Sequence, residues 1–111
     1  MIVCESNMDK RPYSYVFSSL AADDLNGIFD YITLDLLAPQ AAERLIDSIQ
    51  LEVENLCHFP FSQPLLNDRL LRKKGYRILV VQNFNLFYVV KENTIIIRRV
   101  LHSRRNFFAE L

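Results

Sequence analysis

Polar and apolar side chains alternate through Tyr13-Ser14-Tyr15-Val16-Phe17-Ser18, the period of two that a β-strand requires. The period then lengthens. Leu25, Ile28, Phe29, Ile32 and Leu36 recur along one helical face while Asp24, Asp30 and Asp35 fall off it. This predicts a helix capped by Ser18 or Ser19, with Asp23 and Asp24 near its positive end, running to about Leu37. Gly27 weakens it slightly and marks a place for close packing. Pro39 suits the first position of a second helix, where its missing amide hydrogen costs nothing. The stripe Ala42, Leu45, Ile46, Ile49, Val53 and Leu56 carries that helix to near His58, before Pro60. Residues 59–74 keep no period and read as an irregular connection anchored by Phe61, Leu65 and Leu66. From Gly75 three β-branched and aromatic runs follow, 76–81, 86–90 and 94–101, separated by Gln82-Asn83 and Glu92-Asn93.

The predicted order is strand, helix, helix, then a three-stranded meander: βααβββ, an α+β fold with two antiparallel helices packed on one face of a small, mostly antiparallel sheet. Residues 1–12 form a polar N-terminal arm, and 13–111 a single domain. The sheet's other face is expected to meet solvent or a partner.

At 111 residues and 13.0 kDa, half of them apolar, the chain is long enough for one core without disulfide or metal staples. Cys4 and Cys57 lie far apart, and the chain has neither a metal-ligand motif nor a Gly-rich phosphate loop, so no metal and no cofactor are expected. No basic start leads into an apolar stretch, and no run is long enough for a membrane span, so a soluble, unprocessed, cytoplasmic protein is expected.

The formal net charge of zero conceals a division. Residues 1–68 hold eleven Asp and Glu against three Lys and Arg, a balance of −8; residues 69–111 hold ten cations against Glu92 and Glu110, a balance of +8. Such asymmetry points to a polyanionic or acidic partner, with mutual neutralisation across the fold as the alternative.

Arg77, Arg98 and Arg99 occupy strand positions that Val or Thr would ordinarily fill. Unbroken alternation puts Arg98 and His102 on one face of the last strand and Arg99 on the other, against the helices, where it needs a carboxylate. Arg99 is therefore the candidate for a structural ion pair. Arg98 is the candidate phosphate fork, with His102 beside it titrating in the range useful for proton transfer. His58 reads as a helix-end residue, and Tyr76 and Tyr88 as packed sheet aromatics.

The set Ala22-x-Asp24-Leu25-x-x-Ile28-x-x-Tyr31-Ile32, Pro39-x-x-Ala42, Phe59-Pro60, Gly75-Tyr76-Arg77, Phe87-Tyr88 and Arg99-Val100-Leu101-His102-x-Arg104-Arg105 resembles the RelE/ParE toxin superfamily of bacterial type II toxin-antitoxin systems. The resemblance spans about residues 13–111. It implies a cytoplasmic growth inhibitor, neutralised by a cognate antitoxin segment that wraps it. It also implies one of two targets. RelE-like members cut mRNA in the ribosome without metal, by attack of the ribose 2′-oxygen on the adjacent phosphate. In that leading reading Arg77 and Arg98 stabilise the charged phosphate, His102 is the acid or base, and Lys73, Lys74, Arg104 and Arg105 hold flanking phosphates. ParE-like members poison DNA gyrase and need no catalytic set. RelE-like ribonucleases are usually strongly basic, with a C-terminal Tyr or clustered Lys, whereas this chain is neutral and ends in Asn106-Phe107-Phe108-Ala109-Glu110-Leu111. Those last apolar residues are the expected docking patch for the antitoxin or a second copy, giving a toxin-antitoxin hetero-oligomer or a homodimer.

Overall fold

The computed structural model describes residues 2–4 and 12–104. A short strand β1 (Ile2–Cys4), within the stretch read as an arm, pairs antiparallel with β2 (Ser14–Phe17). Two helices follow, α1 (Ser19–Asp30) and α2 (Pro39–Leu56), then a short α3 (Arg69–Lys73) and the meander β3 (Arg77–Val81), β4 (Phe84–Lys91) and β5 (Thr94–His102). The sheet order is β1-β2-β5-β4-β3, antiparallel throughout except for the β2–β5 pair. Parallel neighbours cannot be joined by a tight turn, and here the helices, β3 and β4 all intervene between β2 and β5.

Five of the six stripe positions expected on α2, namely Ala42, Leu45, Ile49, Val53 and Leu56, are buried and Ile46 is half-buried. They pack with Tyr15, Phe17, Leu79, Val81, Leu86, Tyr88, Ile95, Ile97 and Val100 from one face of the sheet. Leu25, Ile28 and Ile32 of the first stripe close the edge of this core. Leu36 does not reach it, because the helix widens into a π-turn over Tyr31–Asp35, where the Leu36 amide donates to Tyr31 O at 3.1 Å. A π-turn adds a residue per turn and rotates whatever follows off the stripe. The chain leaves this turn through Leu37 at φ 52°, a left-handed helix end usually given to Gly or Asn.

The second face of the sheet is not left open, contrary to the expectation from the element order. Phe87 and Leu101, which alternate with Leu86 and Val100, pack with Leu66 and Leu71 in a second apolar cluster flanked by Tyr76 and Ile78. The segment read as irregular supplies this cover. Asp68 accepts from the Leu70 and Leu71 amides at 3.1 and 3.0 Å, starting α3, and Leu71 turns inward. Asp68 ahead of Leu70-Leu71 was the available cap signal; the surrounding cations and prolines obscured it.

Candidate functional site

Strand β2 ends at Phe17 while β5 runs on to His102, so the last turns of β5 lack a neighbouring strand on that side. The start of α1 fills the gap. The Ser18 amide donates to Ile97 O at 2.9 Å, and its hydroxyl donates to Arg98 O at 2.9 Å while accepting from the Ala21 amide at 3.2 Å. One turn on, Asp24 accepts from Arg99 Nε at 2.8 Å, from Arg99 Nη2 at 3.0 Å and from the Val100 amide at 2.9 Å. The carboxylate expected for Arg99 is thus Asp24, with both side chains close to nine-tenths buried.

The alternation expected along β5 breaks at this point. Tyr88 pairs with Ile97 and Phe87 with Arg99, which leaves Arg98 as an extra residue, a β-bulge. One inserted residue reverses the parity of everything beyond it. Arg99 consequently shares the register of Phe87, on the second face, and His102 shares that of Phe84, on the helix side. Arg98 and His102 are not on one face as alternation predicted. Arg98 itself is half-buried, and its Nε has no hydrogen-bond partner among the described residues.

His102 is exposed, stacks edge-on against Phe84 at 5.4 Å, and accepts from the Arg104 amide through Nδ1 at 3.2 Å. That acceptor role places the proton of the neutral ring on Nε2. The side chain stands at the rim of a groove of about 680 Å³ between α1, the π-turn and the ends of β4 and β5. Ile28, Ile32, Leu45 and Phe84 are part of its apolar lining, and Asp23 and Tyr31 also border it.

Arg77 lies elsewhere. It pairs in register with Tyr88, donates from Nη1 to Gln63 O and covers the Phe61 ring at 5.1 Å, so it fastens the 59–66 connection to the sheet. The buried Tyr88 hydroxyl donates to Pro60 O at 3.1 Å beside it. Burial pushes the Tyr88 phenol up to about 12, a shift the nearby Arg77 charge reduces. Arg77 sits beside Tyr88, in the middle of β4, and His102 beside Phe84, at its start. Four residues along and two strands across separate their backbones by roughly 16 Å.

Among the remaining candidates, Lys73, Lys74 and Arg104 are exposed, the first two at the end of α3 and the third just beyond β5. Arg105 lies outside the described residues, as do Phe107, Phe108 and Leu111. Sequence reasoning missed the groove, which forms only when α1 closes over the end of the sheet, and Asp24 as the acceptor for a backbone amide of β5. No helix among the described residues is long and apolar enough to cross a membrane.

The architecture, two helices on a sheet ending in a three-stranded meander, is that of the RelE/ParE toxin superfamily. Two solved structures share it: the chromosomal ParDE toxin-antitoxin system of P. aeruginosa and the RelBE2 toxin-antitoxin complex of Mycobacterium tuberculosis. The first is 23% identical, covers 86% of this chain and 100% of its own, and superposes with a TM-score of 0.66. The second is 21% identical over 82% of this chain and 98% of its own, with a TM-score of 0.57. No curated protein matches the sequence. The family of ParE toxins of type II toxin-antitoxin systems (parDE) matches residues 15–107, and the chain belongs to that family.

Proposed function

We propose that this toxin arrests growth by binding DNA gyrase in the cytoplasm rather than by cutting mRNA, and that a cognate antitoxin silences it. The observation that carries the reading is the separation of Arg77 from His102. Cleavage by a 2′-oxygen needs a proton-transfer group and a cation gathered around one phosphate, within hydrogen-bond reach of the reacting atoms. Here strand geometry puts the backbones of His102 and Arg77 about 16 Å apart, and the Arg77 guanidinium is taken up by Gln63 O and the Phe61 ring. Tyr88, the phenol nearest Arg77, is committed to Pro60 O and raised to about 12, which makes it a weak proton donor at neutral pH. The ParE family match supports the same side of the division. The groove beneath α1 has the size and apolar lining to take side chains of an antitoxin segment, and the two similar structures are of toxin-antitoxin systems.

Purified toxin should be added to gyrase supercoiling and DNA-cleavage reactions and, in parallel, to translating ribosomes with a defined mRNA. Accumulation of gyrase-linked broken DNA with intact mRNA is the expected result. Cut mRNA with unaffected gyrase would reverse the assignment.

A further inference from the structure

The two charge balances visible in the sequence lie on different layers of the molecule. From Ser19 to Leu56, α1, the π-turn and α2 carry eight carboxylates and one cation, Arg44. From Arg69 to Arg104 there are nine cations and one carboxylate, Glu92. Two of the nine are engaged: Arg99 by Asp24, and Arg77 by Gln63 O and Phe61. Arg69, Arg72, Lys73, Lys74 and Arg104 are exposed, with no carboxylate partner among the described residues. Because Leu71 points into the cluster with Phe87 and Leu101, Arg69 and Lys73, each two residues from it, project outward one turn apart. The clustering of Leu71 with Leu101 sets α3 close to where β5 runs out toward Arg104. Asp68, the one acid adjoining α3, is turned onto its own helix amides.

We propose that α3, together with Arg104, is a docking surface for the phosphate backbone of duplex DNA. Five exposed cations without a carboxylate partner among the described residues, on a layer backed by an acidic one, form a molecular dipole that attracts a polyanion and orients it toward α3. Single-strand binders add exposed aromatic rings on which bases stack. Among the described residues the α3 surface carries none: Tyr76 is half-buried in the cluster beneath, and the exposed Phe59 and Phe61 belong to the other side, near Pro60 and Arg77. Backbone contact without base readout therefore fits best. The inference deepens the gyrase reading and rests on it for its biological setting, since a gyrase-bound toxin would stand beside the duplex that the enzyme holds. Its physical content is tested without gyrase.

The test is fluorescence anisotropy of a labelled short duplex with the full-length toxin across a salt series. Wild type should bind with a log–log salt slope of about −4, as expected for four or five phosphates neutralised. The variant Arg69→Gln/Arg72→Gln/Lys73→Gln/Lys74→Gln should bind at least about tenfold more weakly with a slope near −1. Lys91→Gln, which changes a cation at the β4–β5 turn, should leave both unchanged. Thermal unfolding of each variant checks that the fold persists. No duplex binding by wild type, equal binding by the fourfold variant, or tighter binding to single-stranded RNA of the same length would overturn the proposal. Loss of antitoxin affinity in the variant with duplex affinity intact would also overturn it, making α3 a protein contact. Duplex binding that survives while gyrase is untouched would remove the gyrase reading and keep the surface; gyrase poisoning without duplex binding would do the opposite.

Discussion

Asp24 grips Arg99 through two bonds of 2.8 and 3.0 Å and, with the same carboxylate, takes the Val100 amide that β2 is too short to reach. One side chain of α1 thus completes the exposed edge of β5 and neutralises a nearly buried cation. Arg99→Ala should destabilise the fold by about 2 kcal/mol and Asp24→Ala by about 3 kcal/mol, because the second change removes the acceptor of both the guanidinium and the Val100 amide. Arg98→Ala should cost clearly less than either. Urea unfolding of the three variants checks the order; equal, small losses for all would show that the pair contributes little.

Ser18 should be sensitive for a related reason. Its hydroxyl caps α1 and also donates to Arg98 O at the bulge, so Ser18→Ala should lose about 1–2 kcal/mol, at the upper end for a helix cap. Ser18→Gly, which keeps cap-compatible backbone but no hydroxyl, should lose nearly as much, since the bond to β5 is gone in both. A Gly variant as stable as wild type would reduce the residue to an ordinary cap.

Tyr88 supplies a pH test. Its folded pKa of about 12 lies above the ordinary value of 10, so folding favours the neutral phenol. That contribution is complete below pH 10 and is lost as the pH rises through about 12. Stability should therefore fall between these values in wild type, and Tyr88→Phe should lack that component while losing about 1 kcal/mol at neutral pH from the bond to Pro60 O. Arg77→Ala should move the phenol higher still, because it removes the one charge that lowers it. Ultraviolet titration of phenolate with parallel unfolding curves reads both effects.

Gly27 borders the groove, and a Cβ built on it meets nothing within 4 Å. Gly27→Ala should stabilise α1 by about 0.5–1 kcal/mol. Gly27→Trp should fold but fill the groove. Under the proposed antitoxin docking, cells expressing it should stop growing even when the cognate antitoxin is co-expressed. Full rescue by the antitoxin would move its binding site elsewhere.

His102→Ala separates a groove residue from a catalytic one. If the toxin acts by binding gyrase, the substitution should leave gyrase poisoning within about threefold of wild type, a change under 1 kcal/mol, where removal of a general acid or base costs a hundredfold or more. A loss of that size, accompanied by loss of mRNA cleavage, would restore the ribonuclease reading.

Local periodicity determined most of the architecture. The α2 stripe, the proline that opens it, the alternation of β2 and the Gln82-Asn83 and Glu92-Asn93 turns are written at separations of a few residues, where backbone geometry and burial act directly. The acidic and basic halves were equally plain, and so was the need of Arg99 for a carboxylate. Only the tertiary structure decided which carboxylate, since Asp24 lies 75 residues away and meets Arg99 because β2 stops short and α1 takes its place. The bulge at Arg98 was likewise hidden: it belongs to the pairing of two strands, and a single unpaired residue there reverses the face of His102. The separation of His102 from Arg77 follows from cross-strand register, which no period within either strand records. The sheet's second cover came from α3, whose single turn is too short to display a periodicity and exists because Leu71 has Phe87 and Leu101 to pack against.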